Sequence, residues 1–268
     1  EAIIAATGNL QIGRNPQAYW YFNGLIDDVR IYNRALSATE ITALYESYDP
    51  GIVVSTLQKG LVGNWDMNGN AKDRTPNQNN GTVTGATLTT DRKGQSDKAY
   101  SFNGTSDYVN LPSTTLSNQN VTGMTFSAWV KRTTGSTAGI VGGAPHSSYS
   151  YYASGGIFLS GDTPTMVTYH VDTGYKLASS SEAITNDIWY HIVGVHDPST
   201  DKNIIYVNGV NRGEVTSVTN IVTDFSSAHI GKNVKDVFPY WFPGFIDDVR
   251  IYNRALTATE VLELYNTY

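Results

Sequence analysis

One eleven-residue stretch occurs twice in this chain, and that repetition limits what the chain can fold into. Residues 26–36 and 246–256 both read Ile-Asp-Asp-Val-Arg-Ile-Tyr-Asn-Arg-Ala-Leu. The likeness runs outward on both sides. Ile12-Gly13-Arg14-Asn15 answers Ile230-Gly231-Lys232-Asn233, and Tyr19-Trp20-Tyr21-Phe22 answers Pro239-Tyr240-Trp241-Phe242. Downstream, Ser37-Ala38-Thr39-Glu40 answers Thr257-Ala258-Thr259-Glu260. Two tails of one kind therefore frame a single long body, residues 55–225 in round terms.

Each tail has the same local physics. Gly24 or Gly244 opens an extended run. Side chains alternate along a strand, so Phe245, Asp247, Val249 and Ile251 are expected on one face, with Ile246, Asp248, Arg250 and Tyr252 on the other. Thr257 stands three residues before Glu260, the spacing of a capping box that satisfies two helix-start donors. Leu256 and Val261 are spaced as its hydrophobic staple, and Ser37, Glu40, Leu36 and Ile41 repeat the device. Each tail is thus predicted to be a strand, a turn and one short helix.

The body reads as short strands. Residues 58–67 give an opening strand and residues 68–82, rich in Asn, Gly and Asp, a loop. Residues 98–111 hold two strands about a turn at Asn103-Gly104, and Met124, Phe126, Ala128 and Val130 alternate cleanly. Further strands are predicted at 139–142, 155–160, 165–171 and 188–197. Asn208-Gly209 between apolar runs is the preferred two-residue type I′ hairpin turn. Evenly spaced strands with a single terminal helix indicate an antiparallel sandwich.

Composition narrows function. A net charge of −6 and the lack of a basic stripe argue against nucleic acid. With no cysteine, disulfide scaffolds and thiol chemistry are excluded. No apolar run is long enough to cross a bilayer, so no membrane insertion is expected. Few charges, with plentiful Asn, Thr, Ser, Gly and Tyr, fit an extracellular β-rich surface. The chain begins inside a repeat, which reads as a mature or cut piece of something longer.

Six segments in order carry a family resemblance: Gly60-Leu61-Val62-Gly63-Asn64-Trp65-Asp66, Ala99–Val109, Phe126–Lys131, Trp189–Asp197, Ile205–Val210 and Gly244–Leu256. The set resembles the laminin G-like (concanavalin A-like) jelly-roll domain of prokaryotic surface proteins. The resemblance covers residues 58–268, with 49–57 as linker, and residues 1–48 resemble the last strands and helix of a preceding, incomplete repeat. It implies an all-β fold of two curved antiparallel sheets with a short C-terminal helix. It also implies an extracellular, non-catalytic module that adheres to glycans or surface proteins, often with one structural calcium ion.

Three groups of residues are singled out. Asp107 and Asp247 match the family's usual calcium positions and share parity with apolar residues, where a carboxylate is costly unless paired or bound to metal. Backbone carbonyls near Asp66 and Asn103 are expected to complete the shell. The alternative is that Asp247 pairs with an arginine or caps a turn, and Asp248 is expected on the outer face beside Arg250. His146, Tyr149, Tyr151 and Tyr152 form a ring-rich loop suited to a sugar's apolar face. Trp241 and Phe242 are read as core or strand-pair residues, because they recur at Trp20 and Phe22.

Catalysis is not expected. A retaining glycosidase needs two carboxylates about 5 Å apart across a cleft, and no acids alternate along a strand in the required way. His191 and His196 are five apart, hence on opposite strand faces, and neither a zinc pattern nor a Ser-His-Asp set can be assembled. The surplus tail, with Trp20, Phe22, Ile26, Val29 and Ile31, is expected to contact a neighbouring repeat or another copy of the chain, as in an extracellular filament or layer, the alternative being that it packs on its own body as an accessory layer.

Overall fold

The structure, a computed structural model, describes residues 11–14, 21–24, 26, 29–37, 41, 56–115, 123–145, 155–170, 173–216, 225–232 and 240–267. The chain divides into two compact units, Glu1–Ser55 and Thr56–Tyr268.

The second unit is a two-sheet antiparallel sandwich. Its strands in chain order are β1 (Leu61–Trp65), β2 (Thr82–Thr84), β3 (Thr87–Thr89), β4 (Ala99–Asn103), β5 (Tyr108–Leu111), β6 (Met124–Arg132), β7 (Ala138–Pro145) and β8 (Gly155–Ser160). They continue with β9 (Thr163–His170), β10 (Gly174–Ser179), β11 (Tyr190–Asp197), β12 (Lys202–Val207), β13 (Val210–Thr216), β14 (Phe225–Ile230) and β15 (Pro243–Tyr252). One helix, α1 (Ala258–Thr267), follows. The first sheet runs β13-β12-β11-β6-β15-β4-β3, with β1 also paired to β15; the second runs β10-β9-β8-β7-β14-β5-β2. Strands far apart in sequence become neighbours, as a jelly roll requires.

Between the sheets lies the main core, built on Trp65, Phe126, Leu111, Ile140, Ile157, Met166 and Phe242. The outer face of the first sheet carries a second apolar cluster, in which Leu57, Val193, Val195, Tyr206 and Tyr252 meet Leu256, Val261 and Leu264 of the helix region. The expected cap is present: Glu260 Oε2 accepts from Thr257 N at 2.9 Å, and Glu260 N donates to Thr257 Oγ1 at 3.3 Å. Arg254 binds the same carboxylate through Nη1 at 2.9 Å and Nη2 at 2.8 Å, and also reaches the carbonyls of Lys59 and Thr56. That guanidinium ties the helix to the start of the unit. The hairpin at Asn208-Gly209 also forms, with positive φ at both residues (51° and 77°), the type I′ requirement.

The expected alternation along β15 is broken. Asp247 pairs with Trp129 and Arg250 with Ser127, so Asp248 and Val249 together face Ala128. This two-against-one count is a β-bulge, and Asp248 takes φ 46° to make it. The bulge shifts the parity. Ile246, Val249 and Ile251 enter the core, while Asp247 and Arg250 turn to the outer face, where Asp248 joins them. Asp247 is therefore not on the core-facing parity that a regular strand gives it.

In the first unit the described residues repeat the local bonds of the second copy. Phe22 N donates to Gly13 O at 2.8 Å, as Phe242 N does to Gly231 O at 2.9 Å. Arg14 bridges to Tyr21 as Lys232 does to Trp241. Ile41 N donates to Ser37 O at 3.0 Å, matching Val261 N to Thr257 O at 2.9 Å.

Candidate functional site

The bulge creates the most distinctive site in the second unit. By turning two successive carboxylates outward it gives one guanidinium two partners. Arg92 Nη1 donates to Asp247 Oδ2 at 2.5 Å and Nη2 to Asp248 Oδ2 at 2.9 Å. All three side chains are about nine-tenths buried or more, at 8% exposure for Arg92, 4% for Asp247 and 11% for Asp248. Asp248 N also donates to Asp247 Oδ1 at 2.8 Å, which fixes the pair's orientation.

Arg92 comes from the β3–β4 loop, 155 residues away in sequence from Asp247. A tight turn aims it: Asp91 Oδ1 accepts from Lys93 N at 2.8 Å and from Gln95 N at 2.7 Å. The guanidinium then lies 4.5 Å over the Trp129 ring. Trp129 is the cross-strand neighbour of both Asp247 and His191. His191 stacks on it at 5.1 Å and Tyr265 of α1 at 5.7 Å. A cation on an aromatic floor, closed by two carboxylates, is a rigid arrangement.

Electrostatics follow from the burial. Desolvation and the adjacent Asp248 charge push the Asp247 carboxyl up to about 7, against the opposing pull of Arg92. His191 is pushed down to about 3 by burial and by the nearby Arg250 and Arg92 charges, so its ring is neutral.

A cleft of about 250 Å³ opens beside the clamp. Asn64, Asp66 and Asn68 line it together with Lys93, Gln95, Lys98 and the clamp residues Asp247 and Asp248. Asp73 organises the adjoining loop, accepting from Asn64 N and Asn79 N at 2.9 Å each. Asp66 is steadied by Arg74 Nε at 2.9 Å. The lining offers amides, carboxylates and ammonium groups on fixed loops. Such a surface matches a ligand rich in hydroxyls and mismatches an apolar one.

Of the residues expected at the calcium site, Asp66 and Asp247 line the same cleft, and each carboxylate has protein partners of its own. Asp247 pairs with an arginine, the alternative reading of that residue. Asp107 Oδ2 accepts from Asn103 N at 3.0 Å and Oδ1 from Ser106 Oγ at 3.2 Å, closing the turn between β4 and β5. Asn103 Oδ1 accepts from Thr105 N and Ser106 N at 2.9 Å each within that same turn. Asp66 is tied to Arg74. Among the described residues no group of three His, Cys, Asp or Glu is placed to hold a metal.

His146, Tyr149, Tyr151, Tyr152 and Trp20 lie outside the described residues. Phe242 is fully buried in the core. Trp241 is half-buried and its ring lies tilted against Tyr108 at 5.7 Å, with Lys232 Nζ 3.8 Å over the Tyr108 ring. Arg92, Lys93 and Gln95 escaped the sequence reading, because a polar loop carries no periodicity that marks its members.

The sequence profile described as the concanavalin A-like lectin/glucanases superfamily, laminin G type, matches residues 1–42 and 103–262. The chain belongs to that superfamily. No curated protein matches it in sequence. Among solved structures, domain 4 of AbnA, an extracellular GH43 arabinanase from Geobacillus stearothermophilus, solved with arabinotriose, is 22% identical at TM-score 0.54, covering 76% of this chain and 98% of its own. The binding domain of Paraclostridial Mosquitocidal Protein 1 is 18% identical at TM-score 0.60, covering 79% and 53%. Botulinum neurotoxin type C, whose cell entry depends on two ganglioside molecules, is 12% identical at TM-score 0.60, covering 80% and 52%. The chain therefore spans about half the length of the toxin chains it resembles. At these identities the likeness is one of fold. Among the described residues no helix is long and apolar enough to cross a membrane.

Proposed function

We propose that this chain is a non-catalytic, extracellular carbohydrate-binding module that takes neutral oligosaccharides in the cleft above Arg92, Asp247 and Asp248. The polar, rigidly braced lining of that cleft carries the reading. Sugar hydroxyls demand paired donors and acceptors at fixed positions; the Asn64 side chain stands on β1, and those of Asp66, Asn68 and Gln95 on loops held by internal hydrogen bonds. The superfamily and the arabinotriose-bound and ganglioside-dependent structures that share the fold support it. The non-catalytic reading is supported by the acid pair itself. Asp247 and Asp248 grip one guanidinium from the same strand, rather than facing each other across a gap. A glycan array probed with the full chain tests the proposal. Binding to a defined subset, weakened at least about tenfold by Asn68→Ala or Gln95→Ala with the melting midpoint unchanged, is the expected result, that factor being about 1.4 kcal/mol. An array without binding, or binding indifferent to both substitutions, removes the cleft from the account.

A second reading, a structural subunit joined to its neighbours through the N-terminal unit, is favoured by the exposure of Phe22, Ile26, Val29 and Ile31. The two readings are compatible, since they use different surfaces.

A further inference from the structure

The eleven residues shared by 26–36 and 246–256 sit in opposite surroundings. On β15, Ile246, Val249 and Ile251 are each 0% exposed, and the strand is hydrogen-bonded to β6 on one side and to β4 and β1 on the other. Their counterparts Ile26, Val29 and Ile31 are 46%, 49% and 69% exposed. The described residues at 29–32 belong to no strand. Identical side chains have identical preferences for water, so the segment carries the specification of a central strand without the environment of one.

A glycine adds independent testimony. Where β15 enters its slot, Gly244 has φ 147° and an added Cβ would stand 2.2 Å from Lys131 O, so only glycine fits. Gly24 occupies the corresponding place in the first tail. There, among the described residues, an added Cβ would meet the Phe22 ring, at 2.8 Å, and no left-handed φ requires glycine. The first unit thus carries the residue that the slot demands and its own surroundings do not.

We infer that residues 11–41 are the closing strand-and-helix unit of a concanavalin A-like body other than residues 56–268, one whose slot between its β6-like and β4-like strands is vacant. The partner is a body with an open slot, since β15 already fills the slot of residues 56–268. The partner also needs a guanidinium at the place of Arg92, because Asp27 and Asp28 stand where Asp247 and Asp248 do in the sequence.

The probe is this protein with its own slot emptied, by ending the chain after Phe242. The shortened chain keeps residues 1–55 and is expected to regain a cooperative melting transition, as monomer or oligomer. The same shortened chain carrying Gly24→Val or Val29→Asp is expected to have none, while those two substitutions leave the full-length melting curve unshifted. A second arm is independent of linker length: residues 56–242 are refolded with excess full chain, and a one-to-one complex is sought by size exclusion. Success in either arm, abolished by Gly24→Val, supports the inference. Failure of both arms, or folding of the shortened chain regardless of the tail substitutions, overturns it.

Discussion

Replacing Arg92 by methionine keeps the length of the stem and removes the charge that two buried carboxylates share. The guanidinium reaches Asp247 and Asp248 at 2.5 and 2.9 Å, and methionine leaves both without it. Removing one member of a buried ion group costs about 3–5 kcal/mol, because the remaining charges stay desolvated. The lost contact with Trp129 adds about 0.5–2 kcal/mol, part of which the methionine thioether restores. The expected loss at pH 8 is therefore about 3–5 kcal/mol, read by urea unfolding followed by circular dichroism. It should shrink at pH 5. Without the guanidinium the Asp247 carboxyl rises further above its unfolded value, so the folded variant holds a proton that the unfolded chain releases. Stability then increases as pH falls, and each tenfold tightening of proton binding in the folded state returns about 1.4 kcal/mol to the variant. A loss below about 1 kcal/mol at pH 8, against the about 3–5 expected for a buried group, would refute the clamp. So would a loss that grows on going to pH 5.

The wild-type chain has its own pH signature: with Asp247 raised to about 7, its contribution should make the fold more stable as pH falls from 7 towards the ordinary carboxyl range, and Asp247→Asn should flatten that slope in urea titrations. Glu260 behaves oppositely, since hydrogen bonds from Arg254 and Thr257 and the Arg254 charge outweigh burial and hold it down to about 2. Its contribution is present above the unfolded value and is lost as pH falls towards 2. Glu260→Ala should cost about 2–3 kcal/mol near neutrality, from the helix cap and the charge-assisted Arg254 bonds together, measured by thermal melting. Gly244→Ala should cost more than about 3 kcal/mol through the backbone clash with Lys131, whereas Gly24→Ala should cost less than about 0.5 in the same melting assay. Calcium bound only by the folded state would add about 2.7 kcal/mol at a hundredfold excess over its Kd. If Asp107 and Asp247 hold calcium, the midpoint rises in millimolar calcium relative to chelator and Asp107→Ala removes that rise; coincident melts would contradict a site there.

Much of the fold was legible because its signals are local. Asn208-Gly209 announces its turn through the φ values it alone tolerates, and Thr257 with Glu260 announces the helix start through reciprocal bonds. Met124, Phe126, Ala128 and Val130 all enter the core as their alternation requires. The short strands β2, β3 and β10 carried little signal, because the first two are three residues each and the third is mostly outside the core. The site was hidden for a different reason. Alternation assigns Asp247 to the core face, and one inserted residue reverses it. The only hint is Asp247-Asp248 itself, two poor strand formers in mid-strand, where a bulge is the natural solution. Arg92 had no hint at all, since its partners lie across the sheet and its loop has no period.

Titrating the array's best oligosaccharide into three forms of the full chain, by calorimetry, puts the central claim to its most direct test. The forms are wild type, Asn68→Ala with Gln95→Ala, and the triple substitution Tyr149→Ala, Tyr151→Ala and Tyr152→Ala. If the cleft beside Arg92 is the binding site, the cleft variant loses at least about tenfold in affinity, about 1.4 kcal/mol, while the triple tyrosine variant binds as wild type does. The opposite pattern, with the tyrosine variant silent and the cleft variant unaffected, would contradict the claim and move the sugar to residues 146–152.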